Sequence, residues 1–136
     1  MSSSPIETVT TFLQSWNNGI DAVRQSLYDY LTPDCVWENV GMTRTVGPKA
    51  ADECYFSFEP MQNCSRIDVR ILAIAAQGDT VLTERDERVI GKDGRETLAV
   101  RSMGIFVVKN GRFTEWRDYF MPVPFAADAA AAESNK

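Results

Sequence analysis

Residues 67–121 read IDVRILAIAAQGDTVLTERDERVIGKDGRETLAVRSMGIFVVKNGRFTEWRDYFM, and this stretch decides the fold. Apolar and polar side chains alternate along much of it, as is typical of β-strands with one buried face. Turn-forming residues interrupt the alternation at 77–79, 92–94 and 110–111. The pairs Asp93-Gly94 and Asn110-Gly111 favour tight hairpins. The pattern therefore predicts four consecutive antiparallel strands, at 67–75, 80–90, 96–108 and 112–121.

The N-terminal half has helical spacing instead. Ser4 is placed to cap a helix that begins at Pro5, and Glu7 stands where a capping box needs it. A second helix is predicted at 20–31, a short strand at 35–40 and a third helix at 47–58. Helices gathered before a hairpin-connected sheet indicate an α+β fold, in which a strongly curved sheet folds over the helices and encloses a pocket. The alanine-rich segment 126–136 is expected to be a short helix or disordered.

Length and charge limit the classes of protein to which the chain can belong. Its 136 residues suit a single domain spanning 1–136. The 14 Lys and Arg against 19 Asp and Glu give a net charge of −5, the wrong sign for binding a nucleic-acid backbone. No apolar run approaches the roughly 18 residues that a membrane span needs, and the N-terminus lacks a secretion signal. We therefore expect a water-soluble, cytoplasmic protein without nucleic-acid or membrane partners.

The chain contains no histidine, and this excludes all chemistry built on imidazole. Proton transfer near neutral pH must then use carboxylates, Tyr, Lys or Cys with shifted pKa values. The three cysteines, Cys35, Cys54 and Cys64, are an odd number without CxxC spacing. They indicate neither a disulfide framework nor a cysteine metal site, and we interpret them as reduced and mostly buried.

Charged side chains fall on strand faces that also carry large apolar residues. Arg85 and Glu87 share the face of their strand that ends in Val81 and Val89, which suggests a charged pair within an apolar surface. An ordinary exposed salt bridge is the alternative interpretation. In the last strand Asp118 lies between Trp116 and Phe120 on one face. If that face is the inner one, burial raises the pKa of Asp118 unless a cation such as Arg85 compensates. In the alternative interpretation, the Asp118 carboxylate accepts hydrogen bonds from backbone N–H groups at the end of the sheet.

Two further residues share a side of the predicted strand 35–40. Trp37 and Asn39 are two positions apart, so their side chains point the same way. Trp37 can equally be a core residue, and Asn39 a turn residue before Gly41. Aromatic side chains are expected to line the pocket; these are Phe12, Trp16, Tyr55, Phe56, Phe106, Trp116 and Phe120.

The segments TERDE at 83–87 and GRFTEWRDYF at 111–120 resemble the limonene-1,2-epoxide hydrolase family. The similarity in the order of elements covers residues 5–125. The resemblance implies a cone-shaped α+β barrel of the type shared by SnoaL-like polyketide cyclases, ketosteroid isomerases and nuclear transport factor 2. It also implies a homodimer formed through the outer sheet face. The run 98–108 permits this, because both of its faces are apolar, with Met103 and Ile105 on one and Phe106 and Val108 on the other.

The resemblance also implies the reaction and its residues. Asp118 falls on the family's general base, Arg85 on its bridging arginine and Glu87 on its acid, while Trp37 and Asn39 fall on the pair that holds water. The implied activity is addition of water to a small lipophilic epoxide, giving a vicinal diol by concerted acid and base catalysis without metal or cofactor. Tyr55, Phe56, Phe106, Trp116 and Phe120 would bind the substrate.

The chain departs from the family's pattern at two positions. Glu87 replaces an aspartate acid and is one methylene longer, and Trp37 replaces a tyrosine. Indole N–H donates a hydrogen bond but does not accept one, so the water would depend on Asp118 and Asn39.

Two other functions fit the same sequence. A SnoaL-like cyclase or a ketosteroid-type isomerase would use Asp118 to remove a carbon-bound proton, with Tyr28, Tyr30, Tyr55 or Tyr119 stabilising the enolate oxygen. A non-catalytic ligand-binding module is the third possibility, and it predicts that the charged residues tolerate replacement by alanine.

Overall fold

The structure is a computed structural model that describes residues 3–120. Its helices are α1 Pro5–Ser15, α2 Ile20–Tyr30, α3 Pro48–Tyr55 and the short α4 Glu59–Gln62, with a 3₁₀ turn at Trp16–Asn18. Its strands are β1 Leu31–Asn39, β2 Thr43–Val46, β3 Cys64–Gln77, β4 Thr80–Gly91, β5 Glu96–Lys109 and β6 Arg112–Phe120. None of the helices in this part of the chain is long and apolar enough to cross a bilayer.

The six strands form one sheet in the order β2-β1-β6-β5-β4-β3. All neighbouring pairs are antiparallel except β1 and β6, which run parallel. The N-terminal helices pack against this curved sheet, which is not closed, because β2 and β3 lie at opposite edges. The predicted α+β fold is confirmed, and so are the three hairpins that connect β3 to β6.

The start of α1 follows the sequence prediction. The Ser4 hydroxyl accepts a hydrogen bond from the backbone N–H of Glu7 at 3.1 Å, and this satisfies one of the free donors of the first turn. The buried face of α1 includes Phe12, whose ring meets Phe113, Trp116 and Phe106 of the sheet at centroid distances of 4.9, 5.3 and 6.1 Å. These edge-to-face contacts fix the helix over the centre of the sheet.

Several predicted boundaries were wrong. The second helix ends at Tyr30 because Leu31 is extended, with ψ at 130°, and already pairs with β6. The strand expected at 35–40 therefore begins four residues earlier, and β3 extends beyond 67–75 at both ends. The helix expected at 47–58 ends earlier, at Tyr55, and the separate short helix α4 begins only at Glu59, after Phe58 adopts an extended conformation with ψ at 134°.

The segment between the expected strand at 35–40 and the expected helix at 47–58, for which no element was predicted, contains β2. Thr43 pairs with Asn39 and Thr45 with Trp37 in antiparallel register. The expected last position of the final strand, Met121, and the expected tail at 126–136 lie outside the described residues. All three cysteines are free thiols, with Cys35 and Cys64 buried and Cys54 half-buried.

Candidate active site

Three neighbouring strands bring the predicted acid, base and arginine together. Arg85 and Glu87 lie on β4 and Asp118 on β6, with β5 between them. Arg85 is fully buried, while Glu87 and Asp118 are 8% and 6% exposed. The alternative of an exposed salt bridge between Arg85 and Glu87 is therefore wrong, because the pair points into the interior.

The Arg85 guanidinium contacts both carboxylates. Its Nη2 donates to Oε2 of Glu87 and to Oδ2 of Asp118, each at 2.9 Å. Its Nε donates to the same Oε2 at 3.3 Å, and its Nη1 donates to the hydroxyl of Thr83 at 2.9 Å. One side chain thus fixes the direction of two acids, which the planar fork of arginine is suited to do.

A glycine in the middle strand makes this approach possible. Gly104 of β5 pairs with Thr83 on one side and with Asp118 on the other. A Cβ at this position would collide with Nη1 of Arg85 and Oδ1 of Asp118. The absence of a side chain at Gly104 therefore creates the space in which the guanidinium reaches across β5 to Asp118.

Asp118 has its own local hydrogen bond. The indole Nε1 of Trp116 donates to Oδ1 of Asp118 at 3.0 Å, so both carboxylate oxygens have a donor. Burial raises the pKa of Asp118 above its ordinary value, the Arg85 guanidinium opposes this effect, and the nearby Glu87 carboxylate adds to it. One guanidinium neutralises only one carboxylate in this buried cluster, which favours retention of one proton by the pair.

A cavity of about 120 Å³ opens beside the two acids. Its polar lining comes from Asn39, Glu87, Ser102 and Asp118. Most of the remaining wall is apolar and includes Trp16, Trp37, Tyr55, Phe58, Pro60, Met61, Ile67, Val89, Leu98, Val100 and Phe120. The arrangement offers a small number of directed polar groups at one side of an apolar hollow, as in many small-molecule sites.

The predicted water-holding residues lie on β1, next to β6. Trp37 pairs with Trp116 and Asn39 with Asp118 in the parallel register, so both strands point these side chains to the same face. The amide nitrogen Nδ2 of Asn39 donates to the Thr43 hydroxyl at 3.0 Å. This contact leaves Oδ1 of Asn39 as the acceptor available at the cavity.

Trp37 serves as a wall of the cavity. Its ring stacks between Trp116 and Tyr55, with centroid distances of 4.6 and 5.3 Å. Its Nε1 is buried and has no hydrogen-bond partner within residues 3–120. The stack aligns three aromatic rings from β1, β6 and α3 along one side of the site.

The predicted substrate-binding residues occupy different depths. Tyr55 and Phe120 line the cavity. Trp116 and Phe106 are fully buried behind it, and the Phe106 ring lies 5.8 Å from the carbon of the Arg85 guanidinium. Phe56 instead lies under the Arg24 guanidinium, at 4.8 Å.

The remaining aromatic residues also divide by position. Phe12 is a core residue, whereas Trp16 reaches the cavity. Of the tyrosines that an isomerase or cyclase would require, Tyr55 reaches the cavity. Burial and the neighbouring Glu87 and Asp118 carboxylates raise its pKa well above the ordinary value. Tyr119 is exposed, and the Tyr28 hydroxyl donates to Asp52.

Sequence reasoning missed two polar residues at this site. Ser102 is 2% exposed on β5 and donates to Oε2 of Glu87 at 2.9 Å. Thr43 orients Asn39 from the unpredicted strand β2. The available signal for Ser102 was a lone hydroxyl on a strand face that otherwise carries Gly104, Phe106 and Val108.

Comparisons with known proteins identify the family to which the chain is similar. The sequence model of the limonene-1,2-epoxide hydrolase catalytic domain matches residues 3–125. Epoxide hydrolase EphG of Mycobacterium tuberculosis is 37% identical over 113 residues, covering 82% of this chain and 70% of that protein.

Solved structures give the same result for the fold. The structure of an M. tuberculosis LEH-like epoxide hydrolase shares 33% identity with a TM-score of 0.68, covering 88% of this chain and 84% of that one. A putative SnoaL-like polyketide cyclase from Shewanella denitrificans superimposes with a TM-score of 0.72 at 14% identity, covering 96% of this chain and 97% of that one. At that identity the second likeness concerns the fold alone.

Proposed function

Because this chain belongs to the limonene-1,2-epoxide hydrolase family and is an epoxide hydrolase, we propose that it adds water to a lipophilic epoxide in one concerted step. The observation that carries the proposal is the pair of 2.9 Å hydrogen bonds from Nη2 of Arg85 to Glu87 and Asp118 at the wall of an apolar cavity. Two acids held by one cation supply the unlike protonation states that epoxide opening requires.

In this mechanism Asp118 is the base. It accepts a proton from water as the water oxygen bonds to one epoxide carbon. The raised pKa of Asp118 makes it a stronger base than an exposed aspartate, and the Trp116 and Arg85 donors hold its two oxygens in place. Oδ1 of Asn39 accepts a hydrogen bond from the other O–H of the same water, and the contact of its Nδ2 with Thr43 sets its direction.

Glu87 is the acid in the same step. It gives its proton to the epoxide oxygen as the ring C–O bond breaks, so the product carries two hydroxyl groups. The proton gained by Asp118 and the proton lost by Glu87 are then exchanged with solvent, which restores the pair. Arg85 stays charged throughout, because the two carboxylates raise its already high pKa further despite its burial. The chain's own side chains supply every proton transfer, so the reaction needs no cofactor.

The largely apolar wall supports a lipophilic substrate. Residues such as Met61, Leu98 and Val100 would contact the hydrocarbon part, while the epoxide oxygen faces Glu87. Terpenoid, cyclic and steroid-like epoxides all meet this description, because the cavity's polar groups are concentrated at the acids.

The test is diol formation from limonene, cyclohexene and steroid epoxides. The wild-type protein should convert at least one, and Asp118→Asn should lose at least about 100-fold in kcat, as expected for loss of a general base. Asp86→Asn is a matched control, because Asp86 is equally buried but bonds Arg88 on the outer face. Failure of the wild type on all three epoxides, or full activity of Asp118→Asn, would overturn the proposal. Solvent deuterium exchange into a ketone without diol formation would instead support an isomerase or a cyclase.

We further propose that the protein is a homodimer in the cytoplasm. The outer face of the sheet carries the exposed apolar residues Leu82, Met103 and Tyr119, which support contact with a second copy. The three free cysteines support a reducing compartment. A solution mass of twice 15.2 kDa is expected, and Met103→Glu should lower it. A mass of one chain for the wild type would contradict the dimer.

A further inference from the structure

We propose that Ser102 is a positioning residue that, together with Arg85, holds Oε2 of Glu87 so that Oε1 carries the proton given to the epoxide. The inference rests on the proposed function, in which Glu87 is the acid. Ser102 is almost fully buried on β5 and lines the cavity together with Glu87. It therefore contacts the acid at the place where the reaction occurs.

The two oxygens of Glu87 have different surroundings. Oε2 accepts three hydrogen bonds, from Nη2 of Arg85 at 2.9 Å, from Nε of Arg85 at 3.3 Å and from Oγ of Ser102 at 2.9 Å. A carboxylate oxygen has about two lone-pair positions, so three donors leave no place for a further proton. Within residues 3–120, Oε1 makes no hydrogen bond. The transferable proton therefore resides on Oε1.

The Ser102 contact also stabilises the product state of the acid. When Oε1 loses its proton, the negative charge forms on a carboxylate whose other oxygen already has three donors in position. Donors that are in place before charge develops stabilise it without reorganisation. Ser102 thus makes Glu87 a more effective proton donor and holds Oε1 towards the substrate.

The length of the glutamate side chain fits this role. Ser102 is the direct register partner of Arg85, whereas Glu87 pairs with Val100. Glu87 must therefore reach diagonally to the next residue on the same face of β5, a separation of about 7–8 Å between main-chain positions. The additional methylene of glutamate provides reach for this diagonal contact, so Glu87 and Ser102 form a matched pair.

The activity test compares Ser102→Ala with Ser102→Thr. Removing the hydroxyl should lower kcat about tenfold with a change in KM below about twofold, as for a hydrogen bond to a charged group. The alkaline limb of the pH–rate profile, where the acid loses its proton, should move to higher pH. Ser102→Thr keeps the hydroxyl and should retain the wild-type profile. Ser65→Ala removes a hydroxyl that bonds the Ile90 carbonyl on the neighbouring strand pair, and it should change neither quantity.

A second measurement needs no substrate. The side-chain carboxyl ¹³C signal of Glu87, assigned by its loss in Glu87→Gln, should titrate at higher pH in Ser102→Ala than in the wild type. Titration at the same pH in both proteins, or a loss of kcat in Ser102→Thr equal to that in Ser102→Ala, would overturn the role of Ser102. If the ¹³C titration shifts while no epoxide is hydrolysed, the Ser102 contact is supported and the proposed function is the part that fails.

Discussion

The Gly104→Ala substitution tests the geometry of the site with a single methyl group. Gly104 lies on β5 between Thr83 and Asp118, and its backbone does not have the positive φ that favours glycine. Alanine is therefore acceptable to the strand itself. The added Cβ would nevertheless collide with Nη1 of Arg85 and Oδ1 of Asp118, and it would lie 3.2 Å from the Thr83 hydroxyl.

The size of the effect follows from what must move. Forcing a methyl group into a filled interior costs about 1–3 kcal/mol. Displacing Arg85 from Asp118 leaves two buried charges less well paired, which brings the total loss in the free energy of unfolding to about 2–5 kcal/mol. Catalysis should be more sensitive than stability, since a displacement of about 1 Å at reacting groups lowers the rate about 100-fold. We expect kcat to fall at least about 100-fold and the Tm to fall by about 8–20 °C.

Gly91→Ala is the matched control for this experiment. Gly91 is also a strand glycine without a positive φ, but its Cβ would meet Asp93 and Thr97 at 3.2 Å, near the hairpin and away from the acids. The assay measures diol formation and thermal unfolding for both variants under the same conditions. If Gly104→Ala keeps the wild-type kcat and Tm, Arg85 and Asp118 do not approach each other across β5, and our description of the site is incorrect.

Three further predictions concern titration and reactivity. Because burial raises the pKa of Asp118, the folded protein loses stability as pH rises through that pKa. In thermal melts, Asp118→Asn should therefore have a higher Tm than the wild type at pH 8, and this difference in Tm should shrink towards pH 4. A base must be ionised to act, so kcat/KM should fall as pH drops through the same pKa, and this limb should lie above the ordinary aspartate range in a pH–rate profile. Burial raises the pKa of the Cys35 thiol to about 12, so iodoacetamide at pH 7.5 should leave Cys35 unmodified until the protein is denatured. Peptide mass analysis measures the modification, and modification of Cys35 in the native protein would contradict its burial.

Strand alternation predicted which face each principal residue of the candidate site occupies, whereas the roles of these residues came from the family resemblance. It placed Asp118 between Trp116 and Phe120, and it placed Arg85 and Glu87 on one face, because side-chain direction in a strand has a period of two. It left open whether the Arg85 and Glu87 face was buried. That face is buried because the helices pack against it. This packing depends on contacts between parts of the chain that are far apart in sequence.

The missed residues share a physical cause. Ser102 contacts Glu87 only through the pairing register of β4 and β5, which the individual strand sequences do not define. Thr43 contacts Asn39 through β2, a strand of four residues that is too short to show a clear pattern. Gly104 carried a readable signal, since glycine inside a strand often marks a close approach of other groups.

In the proposed mechanism water attacks the epoxide directly, with Asp118 as base and no bond formed between protein and substrate. The most direct test is a single turnover in H₂¹⁸O with enzyme in excess, followed by mass analysis of the diol and of the peptides that contain Asp118 and Glu87. The proposed mechanism predicts ¹⁸O in the diol and none in either peptide. An unlabelled diol with ¹⁸O in one of the two carboxylates would show a covalent ester intermediate and contradict the mechanism.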